Sequence, residues 1–180
     1  TINRLSREIY LVFFYGKKGK ISMKATRHNG RSGKHGTYDA KHNDRRFDVE
    51  NSEHIDAERT KMNVYWDCYQ GYSLPNDKDE RARFTFTEIE KAYYVEKYSD
   101  HVDGQNERNR KARHYDRLKT IDAILENNKT CPEETLLQLG NMDRAVSADV
   151  LAKVSAEYFE EFNRRYGSHV HILDWALHLD

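Results

Sequence analysis

Two prolines, two cysteines and nine glycines in 180 residues leave little material for a flexible linker or a disulfide framework. Cys68 and Cys131 stand far apart and neither belongs to a CxxC pair, so they read as free thiols of a reducing, cytoplasmic compartment. The longest apolar run, Ile9 to Tyr15, is far short of the ~20 residues that cross a bilayer. No small-residue cleavage site follows it, which argues against a signal peptide. The apolar share is low, 37%, and the charged share high, 33%. Disorder does not follow, because 12 Tyr, 7 Phe and 2 Trp supply bulky surface for a core. The length fits a single domain, residues 1–180.

Net charge is also lacking: 30 basic residues balance 30 acidic ones. The balance conceals an asymmetry. Residues 1–36 carry Arg4, Arg7, Lys17, Lys18, Lys20, Lys24, Arg27, Arg31 and Lys34 against Glu8 alone. A second basic cluster is Arg108, Arg110, Lys111, Arg113, Arg117 and Lys119, whereas residues 120–180 are acidic. Such clusters serve phosphate binding or form solvated faces, and charge alone does not choose.

Residues 8–15 have the aromatic and β-branched run of a buried strand. Gly16–Gly19 signals a turn and 20–27 alternates, so the two strands suggest a hairpin. Asn29 to Gly36 is rich in glycine and base, without the spacing of a P-loop, and reads as an exposed loop. Residues 61–69 read as another strand, followed by a turn at Gly71. Thr87 with Glu90 suggests a capping box for a helix over 87–98, and a second helix is expected over 106–127. Pro132 suggests the start of a short helix. The clearest helix spans 147–166, capped by Ser147, with Val150, Val154, Tyr158, Phe159 and Phe162 as its inner face. Residues 169–179 close the chain as a strand. The order implies α+β.

Three clusters could carry chemistry. In Lys41-His42-Asn43-Asp44-Arg45-Arg46-Phe47, a histidine precedes an arginine by three residues. Arginine forks onto phosphate oxygens, and neutral imidazole is a base, nucleophile or ligand. A plain surface histidine fits the same letters. In Asn63-Val64-Tyr65-Trp66-Asp67, alternation puts Asn63, Tyr65 and Asp67 on one strand face. Tyr65 could stack a base there, or the strand could simply be half-buried with Trp66 inside. At the C-terminal end, His169 and His171 share a face, and His178 falls on the other if the strand has no bulge. Two histidines are not a metal site.

In this order the clusters resemble plasmid mobilisation relaxases of the MobV (Pre/Mob, plasmid recombination enzyme) type, from about residue 22 to 180. His42-Asn43-Asp44-Arg45 with Phe47 is similar to the family's HNxR-plus-aromatic motif. Arg59 to Trp66 is more loosely similar to its Arg segment and Asn-x-Tyr strand. Tyr166-Gly167 ends a helix as in the family. His178-Leu179-Asp180 matches the first three positions of the metal motif HxDExTPHxH, so the resemblance implies a chain truncated within that motif.

The resemblance implies an HUH-type relaxase fold, a central antiparallel sheet flanked by helices, with residues 1–21 as an extra segment. It implies a DNA strand transferase that nicks one strand at a plasmid transfer origin and stays attached to the 5′ end. His42 is then the nucleophile, Arg45 the clamp on the scissile phosphate, and Tyr65 the alternative nucleophile that other relaxases use. Arg27, Arg31, Lys34, Lys41, Arg46 and Asn63 would contact DNA. His178 would be one ligand of Mn²⁺ or Mg²⁺. Single-stranded origin DNA is the implied partner, with a homodimer or relaxosome proteins beside it. The alternative is a non-catalytic nucleic-acid-binding module of the same fold.

Overall fold

The computed structural model describes residues 7–14, 25–31, 39–46, 55–73, 84–141, 144–145 and 147–179. Along them run β1 (Arg7–Phe14), β2 (Ala25–Arg31), the one-turn helices α1 (Ala40–Asn43) and α2 (Ala57–Thr60), β3 (Val64–Asp67) and β4 (Gly71–Ser73). The long helix α3 (Phe86–Lys111) follows, then a 3-10 turn at Tyr115–Arg117, α4 (Ile121–Leu125), β5 (Glu133–Asn141), β6 (Arg144–Ala145), α5 (Ala148–Tyr166) and β7 (Val170–His178). Helices and strands mix as α+β.

The sheet order is β2-β5-β1-β7-β3-β4, with β6 paired to β5. The expected central antiparallel sheet is corrected here to a mixed one. β1 runs parallel to β5 and to β7, while β2, β3 and β4 join antiparallel. Parallel neighbours need long crossovers. The chain supplies them, since β2 through α4 lie between β1 and β5, and α5 lies between β5 and β7. The expected hairpin of 8–15 with 20–27 does not form. The apolar run of β1 belongs to a strand with partners on both sides, and β2 pairs with β5 instead. Asn29–Arg31 belong to β2, not to a loop, and residues 32–36 lie outside the described residues. The segment taken as extra, 1–21, therefore supplies a central strand.

Helices cover both faces. On one, α5 buries Leu151, Phe159 and Phe162 against Ile172, Trp175, Leu177 and Leu179. Phe159 stacks on Trp175 at 4.9 Å between centroids. Ser147 caps α5 as expected, yet Val150 and Val154 are exposed. Phe159 and Phe162 are buried as expected, but in the first half of the helix the inner positions are Leu151 and Ser155, one residue on from Val150 and Val154. On the other face, α3 buries Ile89 and Tyr94 against Leu173, and Phe86 against Tyr65 and Ala176. Each such side chain gains about 1.5–3 kcal/mol by leaving water.

Three elements depart from expectation. The sequence offers two overlapping capping boxes, Thr85 with Glu88 and Thr87 with Glu90. The first is used: the Thr85 hydroxyl accepts from Glu88 N at 3.2 Å, and Thr85 N donates to Glu88 Oε2 at 2.8 Å. That start places Phe86 inside the core. The helix then continues unbroken to Lys111, and Arg113 leaves it at φ +58°. Residues 133–141 form a strand, not the expected helix. Pro132 suits either start, and β1 and β2 bind both edges of the segment.

The third departure is a bulge in β7. Ile9 pairs with Ile172 but Leu11 with Trp175, so β7 carries one extra residue. Leu173 packs toward α3, and Asp174, opposite Asp67, lies on the same side as Tyr65. The bulge reverses the parity of the strand. His171 and His178, expected on opposite faces, share the α3 face.

Candidate active site

α1 is short and is held by its flanks. Asp39 caps it by accepting from Lys41 N at 3.0 Å. Asp44 follows, buried, and accepts from Phe86 N with Oδ2 at 3.1 Å and from Arg46 N with Oδ1 at 3.0 Å. A carboxylate at the start of α3 also meets the positive end of that helix. The turn carrying His42 is thereby fixed to the first residue of α3.

Asn43 fixes its other side. Its Nδ2 donates to Glu134 Oε1 at 2.6 Å. Its carbonyl lies 2.7 Å from Nε2 of His178. A carbonyl only accepts, so that nitrogen carries the hydrogen and the neutral ring has its lone pair on Nδ1. Asn43 thus spans from β5 to β7 across β1. Burial pushes the Glu134 carboxyl up from its ordinary value, and the Asn43 amide pulls it partly back.

Asn63 seals the end of β7. It is fully buried and accepts from Leu179 N with Oδ1 at 2.7 Å. Its Nδ2 stands 3.5 Å from the Tyr65 hydroxyl. Tyr65, only 2% exposed, packs edge-on to Phe86 at 6.2 Å and to His178 at 6.4 Å. Alternation had put Asn63, Tyr65 and Asp67 on one face, and that face is the buried one. Trp66 is the half-buried neighbour on the α5 side.

The structure therefore brings residues 42–46, Asn63, Tyr65, Glu134 and His178 into one place. His42, Lys41 and Arg46 are exposed there. Arg45 is not: it is buried at φ +57°, and its Nη1 donates to His42 O at 2.7 Å. The guanidinium expected on a phosphate is folded onto its own turn. Tyr65 and Asn63 are shut away from any strand of DNA in this conformation. Arg27 and Arg31 sit on β2 opposite Leu137 and Glu133, three positions to one side and one to the other of Gly30, which pairs with Glu134, and Lys34 lies outside the described residues. Asn43, Asp44 and Glu134 were not singled out from sequence. The first two stand inside the HNDR cluster; Glu134 had no local signal.

Comparison of the chain with family models, curated proteins and solved structures finds no match.

The described residues do not assemble a divalent-ion site. His178 offers one nitrogen ligand, with its Nε2 committed to Asn43 O. Among the described residues no group of three His, Cys, Asp or Glu side chains stands together to hold an ion. Asp180 lies outside them. His169 is exposed, and His171 rests against the Tyr93 ring at 5.8 Å, with burial lowering its affinity for a proton. Thiol chemistry is also disfavoured. Burial of the sulfur, then the charges of Asp174 and Asp67, push Cys68 up to about 12, so it carries almost no thiolate at neutral pH. No helix among the described residues is long and apolar enough to cross a membrane.

Proposed function

We propose that the chain is a DNA strand transferase of the relaxase type with an HUH-like fold. It nicks one strand at a plasmid transfer origin in the cytoplasm and keeps the 5′ end on His42. One observation carries the reading. His42 is exposed on a turn whose next residue, Asn43, is gripped by Glu134 and by the buried His178, 135 positions away in sequence. A surface histidine without a task needs no such frame.

The chemistry is a phosphoryl transfer. A neutral imidazole nitrogen of His42 attacks the phosphorus of one backbone phosphodiester. A P–N bond forms, the P–O3′ bond breaks, and the 3′ oxygen departs and takes up a proton. No oxidant or nucleotide is consumed, and the bond energy is kept for rejoining. Lys41 and Arg46 offset the phosphate charge. Arg45 holds the His42 carbonyl, which makes it a positioning residue in this state. A divalent ion, if bound, would polarise the phosphoryl oxygens; since the donor set is not assembled, no step above depends on it.

The incomplete donor set favours a second reading, a nucleic-acid-binding module without cleavage. One assay separates them. The protein is incubated with a random-sequence single-stranded DNA pool and Mn²⁺, then run under denaturing conditions. The first reading expects a slow-migrating protein–DNA adduct that His42→Ala abolishes. Binding without any adduct supports the second reading.

A further inference from the structure

The far end of α3 carries a second cluster of features that the His42 site leaves unused. Phe86 and Asn106 are separated by about 30 Å along this helix. Between α3 and α4 lies a pocket of about 190 Å³, lined by Tyr98, His101, Val102, Lys119, Ala123 and Ile124 among others. Drug-sized sites occupy ~300–1,000 Å³, so this one suits a single ring system. Its walls are mostly apolar, with Gln105, Asn106, Asn127 and Thr130 adding polar groups; no acidic side chain lines it, and Lys119 is among the lining residues.

The last turn of α3 and the loop after it are cationic. Arg108, Arg110, Lys111, Arg113, Arg117 and Lys119 face only Glu107 and Asp116 within it. Glu107 is occupied by Lys111 at 2.7 Å, and Asp116 lies 3.9 Å from Arg117. Arg110, Arg113 and Lys119 make no ion pair among the described residues. The helix dipole explains cations in the last turn of α3, namely Arg108, Arg110 and Lys111. It does not explain Arg113, Arg117 and Lys119, which lie beyond the helix.

The loop is also held rigid. Asn106, buried, donates to Lys119 O at 2.8 Å and accepts from Lys119 N at 2.9 Å. Asn109, also buried, donates to Arg117 O at 3.1 Å. Two buried amides on α3 are thus spent on fixing the backbone of a loop whose side chains are all exposed. A cation whose backbone is fixed, Lys119, beside a ring-sized and mostly apolar pocket forms a preorganised pair. A base with its flanking phosphate has the matching pattern.

We propose that this pocket takes one base of a single-stranded nucleic acid, with a flanking phosphate on Lys119 and a further phosphate along the strand on Arg113 of the same loop. The choice of DNA as ligand rests on the function proposed above; the site itself is independent of nicking. Single-strand sites commonly cover about 4–16 nucleotides, so one strand can engage both ends of α3.

The test uses fluorescein-labelled dT12 and anisotropy at low salt, with wild type, Ala123→Phe and the double variant Arg113→Gln/Lys119→Gln. Ala123 is exposed on α4, so phenylalanine fills the pocket without entering the core. Unfolding midpoints confirm that each variant is folded. Ala123→Phe should weaken binding by about 5- to 150-fold, the range of one base–aromatic stack. The double variant should flatten the slope of log affinity against log salt by about 1.4. Ala123→Phe binding as tightly as wild type would overturn the inference. So would equal affinity of wild type for poly-glutamate, which would make an acidic protein the partner. A weakened Ala123→Phe with no covalent adduct in any protein leaves this site standing and removes the nicking reading. Unchanged dT12 binding with a His42-dependent adduct does the reverse.

Discussion

Asn43 joins the two halves of the candidate site, and its amide has one acceptor, Glu134. Glu134→Ala leaves a buried donor unsatisfied, so a loss of about 1–3 kcal/mol is expected from urea unfolding. Glu134→Gln keeps an acceptor oxygen and should lose far less. The pH response has a definite sign. Burial raises the folded carboxyl above its ordinary 4.5, so the folded chain holds this proton more tightly than the unfolded one. The contribution to stability is full below the unfolded value and is lost as pH rises through the raised folded value. Unfolding midpoints from about pH 4 to 7 should show that loss in wild type and its absence in Glu134→Gln. At this scale the sequence was half legible. The spacing of His42 and Arg45 marked the turn, and alternation grouped Asn63 with Tyr65. It could not mark Glu134, whose partner is 91 positions away. Nor could it tell that Arg45 turns back on His42, because that depends on a backbone at φ +57°.

At the scale of elements, α3 connects the frame of the site to the basic loop. Its first turn is held twice, by the Thr85–Glu88 box and by Asp44. Thr85→Ala should cost about 1 kcal/mol, the usual worth of an N-cap, and leave DNA chemistry intact. Asp44→Ala removes a buried acceptor from two backbone N–H groups, so about 1.5–3 kcal/mol should be lost. It should also cut adduct formation, because the His42 turn loses its anchor. Equal effects of the two variants on adduct yield would contradict that division. α5 was readable from its cap and aromatic stripe, whereas α3 was legible only in part: in place of separate helices over 87–98 and 106–127 the chain forms one helix to Lys111, a 3-10 turn and α4, and it uses the capping box that buries Phe86. β5 was not readable, because a proline followed by two glutamates and three leucines suits a helix until two strands pair with it. The bulge in β7 was invisible for a similar reason: one extra residue changes the face of His178 without changing any local letter.

At the scale of the molecule, β1 holds the sheet together. It pairs with β5 on one side and β7 on the other, and those strands carry Glu134 and His178. Deletion of residues 1–21 should therefore abolish cooperative thermal unfolding followed by circular dichroism. A cooperative transition in the shortened chain would show that the sheet closes without β1 and that the segment is an addition after all. Net charge says little here. The chain is neutral overall, and its basic residues are concentrated in separate stretches, residues 1–36, Lys41–Arg46 and Arg108–Lys119.

The measurement that bears most directly on the central claim is the chemical identity of the protein–DNA bond. Adduct formed on the random single-stranded pool is digested with protease and nuclease, and the nucleotide-bearing peptide is sequenced by mass spectrometry. The account predicts the nucleotide on His42, through a P–N bond that mild acid releases. An acid-stable nucleotide on Tyr65, or on any residue other than His42, would contradict it.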